Sequence, residues 1–274
     1  MTIEELLIYG KKHCHSDHAK ILLAELLDKN PLELLNYLND TVSKEKEILY
    51  KKEITALEEG KPLQYVLGKV NFYGQEYIIN ENVLIPRFET EELVEATIEY
   101  INKYFTNPVD IIDLGCGSGV IGLTLEKKVS TKTVDLIDIS KDALEITKIN
   151  CGRLKSNAYI KQNDFLEGIE KKYDIIISNP PYIKKNETIE PIVRDNEPHI
   201  ALYAGEDGLD CYRKILKNVK NNMKEKCIIA LEIGYQQKEE ICNLIREYLG
   251  NVTIKSKKDL SERDRMIFIL KNIV

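Results

Sequence analysis

Along the first 70 residues, apolar side chains recur at three- and four-residue spacing: Ala19, Ile21, Leu22, Leu23, Leu26 and Leu27, then Leu34, Leu35 and Leu38 after Pro31. With little β-branched clustering, this pattern predicts a small helical bundle, broken near its end by Gly60-Lys61-Pro62. Between residues 70 and 79 the character changes, and aromatic and β-branched residues around Gly74 predict a β-hairpin. A helix is expected after Pro86, with Thr90 as its N-cap ahead of the acidic Glu91 and Glu92. From residue 109 onward apolar runs predict strands at 109–114, 133–138, 158–161, 174–178 and 227–232, with helices at 142–150 and 209–223 among them. Such alternation predicts a doubly wound, parallel α/β sheet with crossover helices. Two later runs, 251–255 and 266–270, predict a closing hairpin at one sheet edge.

At 274 residues the chain is long enough for a large core with a small companion domain. Hydrophobic and charged contents of 43% and 31% are those of a soluble globular protein. A net charge of −6 argues against a long phosphate backbone as main partner, so no stable nucleic-acid binding is expected. The cysteines (Cys14, Cys116, Cys151, Cys211, Cys227 and Cys242) have no C-x-x-C spacing, which suits reduced cytosolic thiols. Met1-Thr2-Ile3-Glu4-Glu5 is acidic where a signal peptide is basic, and no apolar run reaches membrane length. A cytoplasmic protein with no membrane partner is expected. His13-Cys14-His15-Ser16-Asp17-His18 carries metal-capable side chains without a recognised ligand spacing; it reads as an exposed helix start, and no metal is expected.

Asp113-Leu114-Gly115-Cys116-Gly117-Ser118-Gly119 follows the first strand of the alternating region and opens a helix. Glycines there permit a tight turn and a close approach of backbone to ligand at the helix N-terminus. Read from Gly115, the dinucleotide fingerprint G-x-G-x-x-G fails at Val120; read from Gly117 it is met by Gly122. Glycine spacing alone therefore leaves a dinucleotide open, whereas the Gly-Lys-Ser/Thr of a P-loop is absent. The second strand ends at Asp138, about where a carboxylate meets ribose hydroxyls in Rossmann-like sites. The third is followed by Asn163-Asp164-Phe165, where a carboxylate can accept from an adenine amino group and a phenyl ring can pack on the purine.

The fourth strand, Asp174-Ile175-Ile176-Ile177-Ser178, ends abruptly in Asn179-Pro180-Pro181-Tyr182. Neither proline donates an N–H and each fixes its own φ, so the loop is stiff. It presents an amide, free carbonyls and an aromatic ring at the mouth of the sheet, a setting that can hold a planar NH2 group and expose its nitrogen to attack.

Together these features resemble the class I S-adenosylmethionine-dependent methyltransferases, whose fourth strand carries an (Asn/Asp)-Pro-Pro-(Tyr/Phe) signature of amino-group methylation. Pro62-Leu63-Gln64-Tyr65-Val66-Leu67-Gly68, Val83-Leu84-Ile85-Pro86-Arg87-Phe88-Glu89-Thr90-Glu91 and Glu197-Pro198 are similar to segments of the peptide chain release factor glutamine N5-methyltransferases. So are 204–210 and 259–265, and the resemblance runs from about residue 17 to the C-terminus. It implies a mostly parallel seven-stranded sheet with an antiparallel edge hairpin, preceded by the helical bundle. The implied domains are a substrate-recognition bundle at 1–70, a hairpin linker at 71–86 and a catalytic domain at 87–274.

The resemblance further implies methyl transfer from S-adenosylmethionine to the glutamine amide of the Gly-Gly-Gln motif in class I release factors; a monomer is expected. Carried over by position, Gly115, Cys116, Gly117, Ser118, Gly119, Asp138, Asp164 and Phe165 would contact the methyl donor. Asn179 would contact donor and glutamine, with Pro180, Pro181 and Tyr182 completing the acceptor pocket and Asn179, Pro180 and Tyr182 serving catalysis. The alternatives are an adenine-N6 nucleic-acid methyltransferase, since adenine offers an equally flat amino group, and a glutamine methyltransferase acting on a ribosomal protein. One departure is visible: the family usually has Pro after the Arg of Ile-Pro-Arg, and here Phe88 stands there. Arg87 and Glu89 read equally as a substrate-positioning pair or a plain ion pair.

Overall fold

The chain divides into two units, one of Met1–Val70 with Glu190–Asn196 and the other of Asn71–Ile189 with the residues from Glu197 onward. The structure, a computed structural model, describes residues 1–273.

The first unit holds α1 (Ile3–His13), α2 (Ser16–Leu27), α3 (Lys44–Glu58) and α4 (Leu63–Leu67). A capping box starts α1: Glu5 N–H donates to Thr2 Oγ1 at 3.2 Å and Thr2 N–H donates to the Glu5 carboxylate at 2.9 Å. The apolar stripes meet in a core that includes Leu6, Leu22, Leu23, Leu34, Tyr50 and Ile54, and the buried Tyr50 hydroxyl donates to the Ala19 carbonyl at 3.2 Å. After Pro31 the structure departs from the expected helix. Glu33–Tyr37 forms a short 3₁₀ turn that buries Leu34 and leaves Leu35 exposed, because three residues per turn cannot bring all three leucines to one face.

The hairpin pairs β1 (Lys69–Phe72) with β2 (Gln75–Ile78) through Tyr73 and Gly74, both at positive φ, as a tight hairpin turn requires. In chain order there follow α5 (Phe88–Tyr104), β3 (Val109–Leu114), α6 (Val120–Lys128), β4 (Thr131–Asp138), α7 (Lys141–Leu154), β5 (Tyr159–Gln162) and β6 (Tyr173–Ser178). Next come α8 (Pro191–Asn196, part of the first unit), α9 (Asp210–Asn222), β7 (Met223–Glu232), α10 (Lys238–Leu249), β8 (Thr253–Lys258) and β9 (Asp264–Lys271).

Seven strands form one sheet in the order β5-β4-β3-β6-β7-β9-β8. All neighbours are parallel except the β7–β9 and β8–β9 pairs, so the expected parallel sheet with an antiparallel edge hairpin is what the chain builds. The central strands are buried on both faces, which is why they read as continuous β-branched runs. β7 begins four residues before its expected start, at Met223. Lys224, Glu225 and Lys226 masked its first turn of pairing, because charged side chains are tolerated where a strand leaves the core. The order of winding reverses between the parallel neighbours β3 and β6, since β4 and β5 add on one side of β3 and β6 and β7 on the other, and this switch point opens a crevice at the carboxyl ends of the strands. The loops after both strands meet there.

Candidate active site

Leaving β3, the loop passes through Gly115, Gly117 and Gly119 at φ +69°, +56° and +84°, a left-handed path that other residues follow only with strain. Its carbonyls are held from behind by α7: Thr147 Oγ1 donates to Gly117 O at 2.6 Å, and Asn150 Nδ2 donates to Ser118 O at 2.9 Å. Buried Asp113 accepts the Gly122 N–H at 2.9 Å, which ties α6 to β3. A Cβ on Gly122 would stand 2.3 Å from Leu136 Cδ2, so this glycine serves the packing of helix on sheet. The last glycine of the dinucleotide spacing at Gly117–Gly122 thus serves helix–sheet packing, a role that is independent of which nucleoside ligand the loop holds.

At the end of β4, Asp138 accepts N–H groups from Gly117 and Ser140, each at 2.8 Å. Its carboxylate thus shapes the glycine loop, a role not evident from its spacing. Burial pushes the Asp138 carboxyl up, and the backbone N–H bonds only partly draw it back. Beyond β5, Phe165 sits at φ +47°, a conformation that costs about 1–2 kcal/mol for a residue with a side chain. Asn163 Nδ2 bonds the Phe165 and Glu167 carbonyls at 3.1 and 2.8 Å and keeps the turn in place. Asp164 Oδ2 accepts from Lys214 Nζ at 2.6 Å.

These loops enclose a cavity of about 340 Å³. Gly115, Cys116, Gly117, Ser118, Asp138, Asp164, Phe165, Asn179 and Pro181 line it, together with Thr90 from the first turn of α5. Gly119, Pro180 and Tyr182 do not line it. Gly119 instead caps α6, Pro180 is buried, and Tyr182 packs on the core beneath. The Tyr182 carbonyl accepts from Gln237 Nε2 at 3.0 Å, and burial pushes the Tyr182 hydroxyl up to about 12. Burial also pushes up the Cys116 and Cys211 thiols on the cavity wall, so neither is a ready nucleophile.

Asn179 leaves β6 directly after Ser178, whose hydroxyl donates to Leu114 O at 2.6 Å and clamps the ends of β3 and β6 together. Ser178 is in register with Leu231 of β7, so Asn179 emerges beside Glu232. The structure corrects the expectation for Thr90. α5 begins at Phe88 with Arg87 as its N-cap, and Thr90 lies inside the first turn, buried. Its hydroxyl is drawn to other groups: Thr90 Oγ1 donates to Glu232 Oε2 at 2.7 Å and accepts from Asn179 Nδ2 at 3.0 Å. Neither contact was legible in the sequence; a Thr in a first helical turn and a Glu ending a strand, 142 residues apart, carry no shared local signal. Arg87 forms an ion pair with Glu197, whose other oxygen accepts the Ile85 N–H at 3.1 Å, which accounts for the Glu197-Pro198 motif as a brace for the 83–91 segment.

Two family models match the chain: the PrmC N-terminal domain over residues 15–68 and the methyltransferase small domain over residues 93–199. The release factor glutamine methyltransferase of Bacillus subtilis is 36% identical over 92% of this chain and 90% of its own length. That of Bacillus cereus is 34% identical over 91% and 90%. The chain belongs to the release factor glutamine methyltransferase family. A methyltransferase crystal structure from Pyrococcus furiosus, at 17% identity and a TM-score of 0.54, covers 82% of this chain and 95% of its own, and shares the fold. The nucleic-acid alternative is not favoured by membership of the release factor glutamine methyltransferases.

Proposed function

We propose that this chain methylates the side-chain amide nitrogen of the glutamine in the Gly-Gly-Gln motif of class I release factors, with S-adenosylmethionine as donor. The cavity wall fits that donor. It carries three carboxylates, Asp138, Asp164 and Asp210, of which Lys214 on the wall engages Asp164 and Arg213 engages Asp210 from outside the wall, leaving Asp138 without a cationic partner among the described residues. Such a wall repels a diphosphate and suits a cationic nucleoside. Gly115–Ser118 and Asp138 would hold the amino acid and ribose portions, with Asp164 and Phe165 at the base. When bound, S-adenosylmethionine supplies a methyl group on positive sulfur and a neutral thioether as leaving group.

What the chain must add is placement of a weak nucleophile. An amide lone pair is delocalised into its carbonyl, a conjugation reflected in a rotation barrier of about 18–20 kcal/mol. The observation that carries the reading is the orientation of Asn179: with Nδ2 committed to Thr90, Oδ1 is left to accept an N–H from the glutamine amide. The Pro180 carbonyl would accept the second N–H, and Tyr182 would exclude water beneath. Hydrogen bonds to both amide hydrogens raise electron density on nitrogen and aim its lone pair at the methyl carbon. As the new N–C bond forms, one amide proton is lost to water, since neither Asn179 nor Pro180 is a base.

The test is incubation of the protein with radiolabelled donor and either a release factor or DNA and RNA. Label in the Gly-Gly-Gln peptide is the expected result, and label in adenine would overturn it. Asn179→Ala should lower the rate by about 100-fold or more while donor binding by calorimetry is retained; a near-normal rate would remove Asn179 from the mechanism.

A further inference from the structure

We propose that Thr90 and Glu232 form a positioning relay that fixes which way the Asn179 side-chain amide faces, so that its oxygen and not its nitrogen meets the acceptor. The inference rests on the glutamine-methylation reading and adds two residues to it, Thr90 at the cavity wall and Glu232 behind it, that act on the acceptor through Asn179. Three elements converge to build the relay: Asn179 at the end of β6, Glu232 at the end of neighbouring β7, and Thr90 in the first turn of α5. Thr90 and Glu232 are both buried, at 3% and 1% exposure, so bulk water does not compete for these hydrogen bonds.

The direction follows from counting donors. An ionised carboxylate only accepts, so Thr90 must spend its single O–H on Glu232 Oε2. The Thr90 oxygen then offers only lone pairs, and the group facing it must be a donor. Asn179 answers with Nδ2 at 3.0 Å, which turns Oδ1 to the opposite side. Were the amide to flip, two acceptors would face each other at Thr90 and two donors would meet at the substrate amide. A neutral Glu232 removes the constraint. Its O–H can donate to Thr90, the Thr90 hydrogen is released, and either face of Asn179 can then be accommodated.

The surroundings keep Glu232 responsive. Arg87 and Glu89 face it from α5, Arg265 from β9 and Tyr182 from the loop after β6, while the Tyr212 hydroxyl of α9 donates to the Glu232 backbone carbonyl at 2.8 Å. Arg265 is itself engaged by Asp259 at 3.2 Å, and Arg87 by Glu197; among the described residues Glu232 makes no ion pair. Burial pushes its carboxyl up to about 7, and the Thr90 hydrogen bond draws it back only in part. The relay therefore tightens as pH rises through neutrality.

The experiment compares wild type, Thr90→Val, Thr90→Ser and Glu232→Gln for methyl transfer to a release factor, donor affinity by calorimetry, and the Asn179 side-chain NH2 signal in protein labelled with ¹⁵N-asparagine, assigned by its loss in Asn179→Ala. Thr90→Val should lower kcat by about 10- to 100-fold with donor affinity within twofold of wild type, while Thr90→Ser stays near wild type. Wild-type kcat should climb between pH 6 and 8, and that limb should vanish in Glu232→Gln. The Asn179 NH2 signal should be shifted and slow to exchange in wild type and Thr90→Ser, and ordinary in Thr90→Val. An unchanged rate and unchanged NH2 signal in Thr90→Val overturns the relay, as does an equal loss in Thr90→Ser, which would mark packing. Absence of transfer by the wild type to any release factor overturns the glutamine reading instead, and the NH2 signal still decides the relay.

Discussion

Along the parallel strands themselves, carboxylates toward the two ends of the sheet are treated in opposite ways. At the amino ends of the strands, Asp110 and Asp174 share Lys224, and midway along β4 Asp135 is held by Lys171 at 3.0 Å and the Tyr173 hydroxyl at 2.7 Å. Burial raises the Asp110 carboxyl, but the hydrogen bonds from Lys224 and Thr133 outweigh it and hold the group below its ordinary value. At the carboxyl ends, Asp113, Asp138 and Glu232 are met, among the described residues, by hydrogen bonds from backbone N–H groups and a hydroxyl alone. Burial dominates there and all three are raised, Asp113 to about 7. One Asp113 oxygen has no hydrogen-bond partner among the described residues. Same residue types, same sheet, opposite electrostatics. On these strands lysines compensate the carboxylates at one end, while at the other the strand carboxylates are left to neutral donors and the arginines pair with carboxylates of the flanking loops, Asp259 and Glu197.

The sharpest way to break this contrast is at Asp138. Replacing it with Ala removes two N–H acceptors from the glycine loop and should weaken donor binding by about 100-fold, read by calorimetry with the demethylated product as ligand. Lost stability with intact affinity would make Asp138 no different from the carboxylates at the other end.

A smaller effect is expected at the opposite end. Lys224→Met strands Asp110 and Asp174 and should cost about 2 kcal/mol in denaturant unfolding at pH 7, less than a fully buried pair because Lys224 is one-third exposed, with kcat unchanged. The folded-state value of Asp110 is depressed, so the pair stabilises above the unfolded carboxyl value and the difference should fade as pH falls through the folded one. A kcat change as large as the stability change would erase the division of labour.

Asp113→Asn is the mildest probe and tests the sign at the active end. Its folded-state value is raised, so its contribution is complete below the unfolded value and lost as pH rises toward 7. Wild-type stability should therefore decline across that window, and the variant should flatten the decline by about 1 kcal/mol, the Gly122 N–H bond offsetting part of the ionisation cost. An identical pH profile in both would mean that Asp113 stays ionised and satisfied.

Much of this architecture was legible because its signals are local. β6 announces itself by Ile175, Ile176 and Ile177 and ends where Pro180 forbids pairing, and the glycine loop declares its left-handed path by composition. Thr90 shows the limit. Its neighbours Glu91 and Glu92 make it look like a cap, and only the approach of β6 and β7 reveals a hydroxyl turned inward. Gly122 shows the converse: a glycine that satisfies a binding fingerprint is there because Leu136 leaves no room for a Cβ.

What the amino-acid sequence determined by itself is the order of strands and helices along the chain, the stiff Asn179-Pro180-Pro181-Tyr182 loop and the chemistry of each strand end. Dihedral preferences and side-chain periodicity act over a few residues and need no partner. Which strand ends become neighbours, which carboxylates receive a lysine and which are left to neutral donors, and which way Asn179 turns were decided by tertiary structure. Those properties belong to contacts between residues 89 to 142 positions apart, and burial, which sets their energies, exists only once the sheet has closed over them.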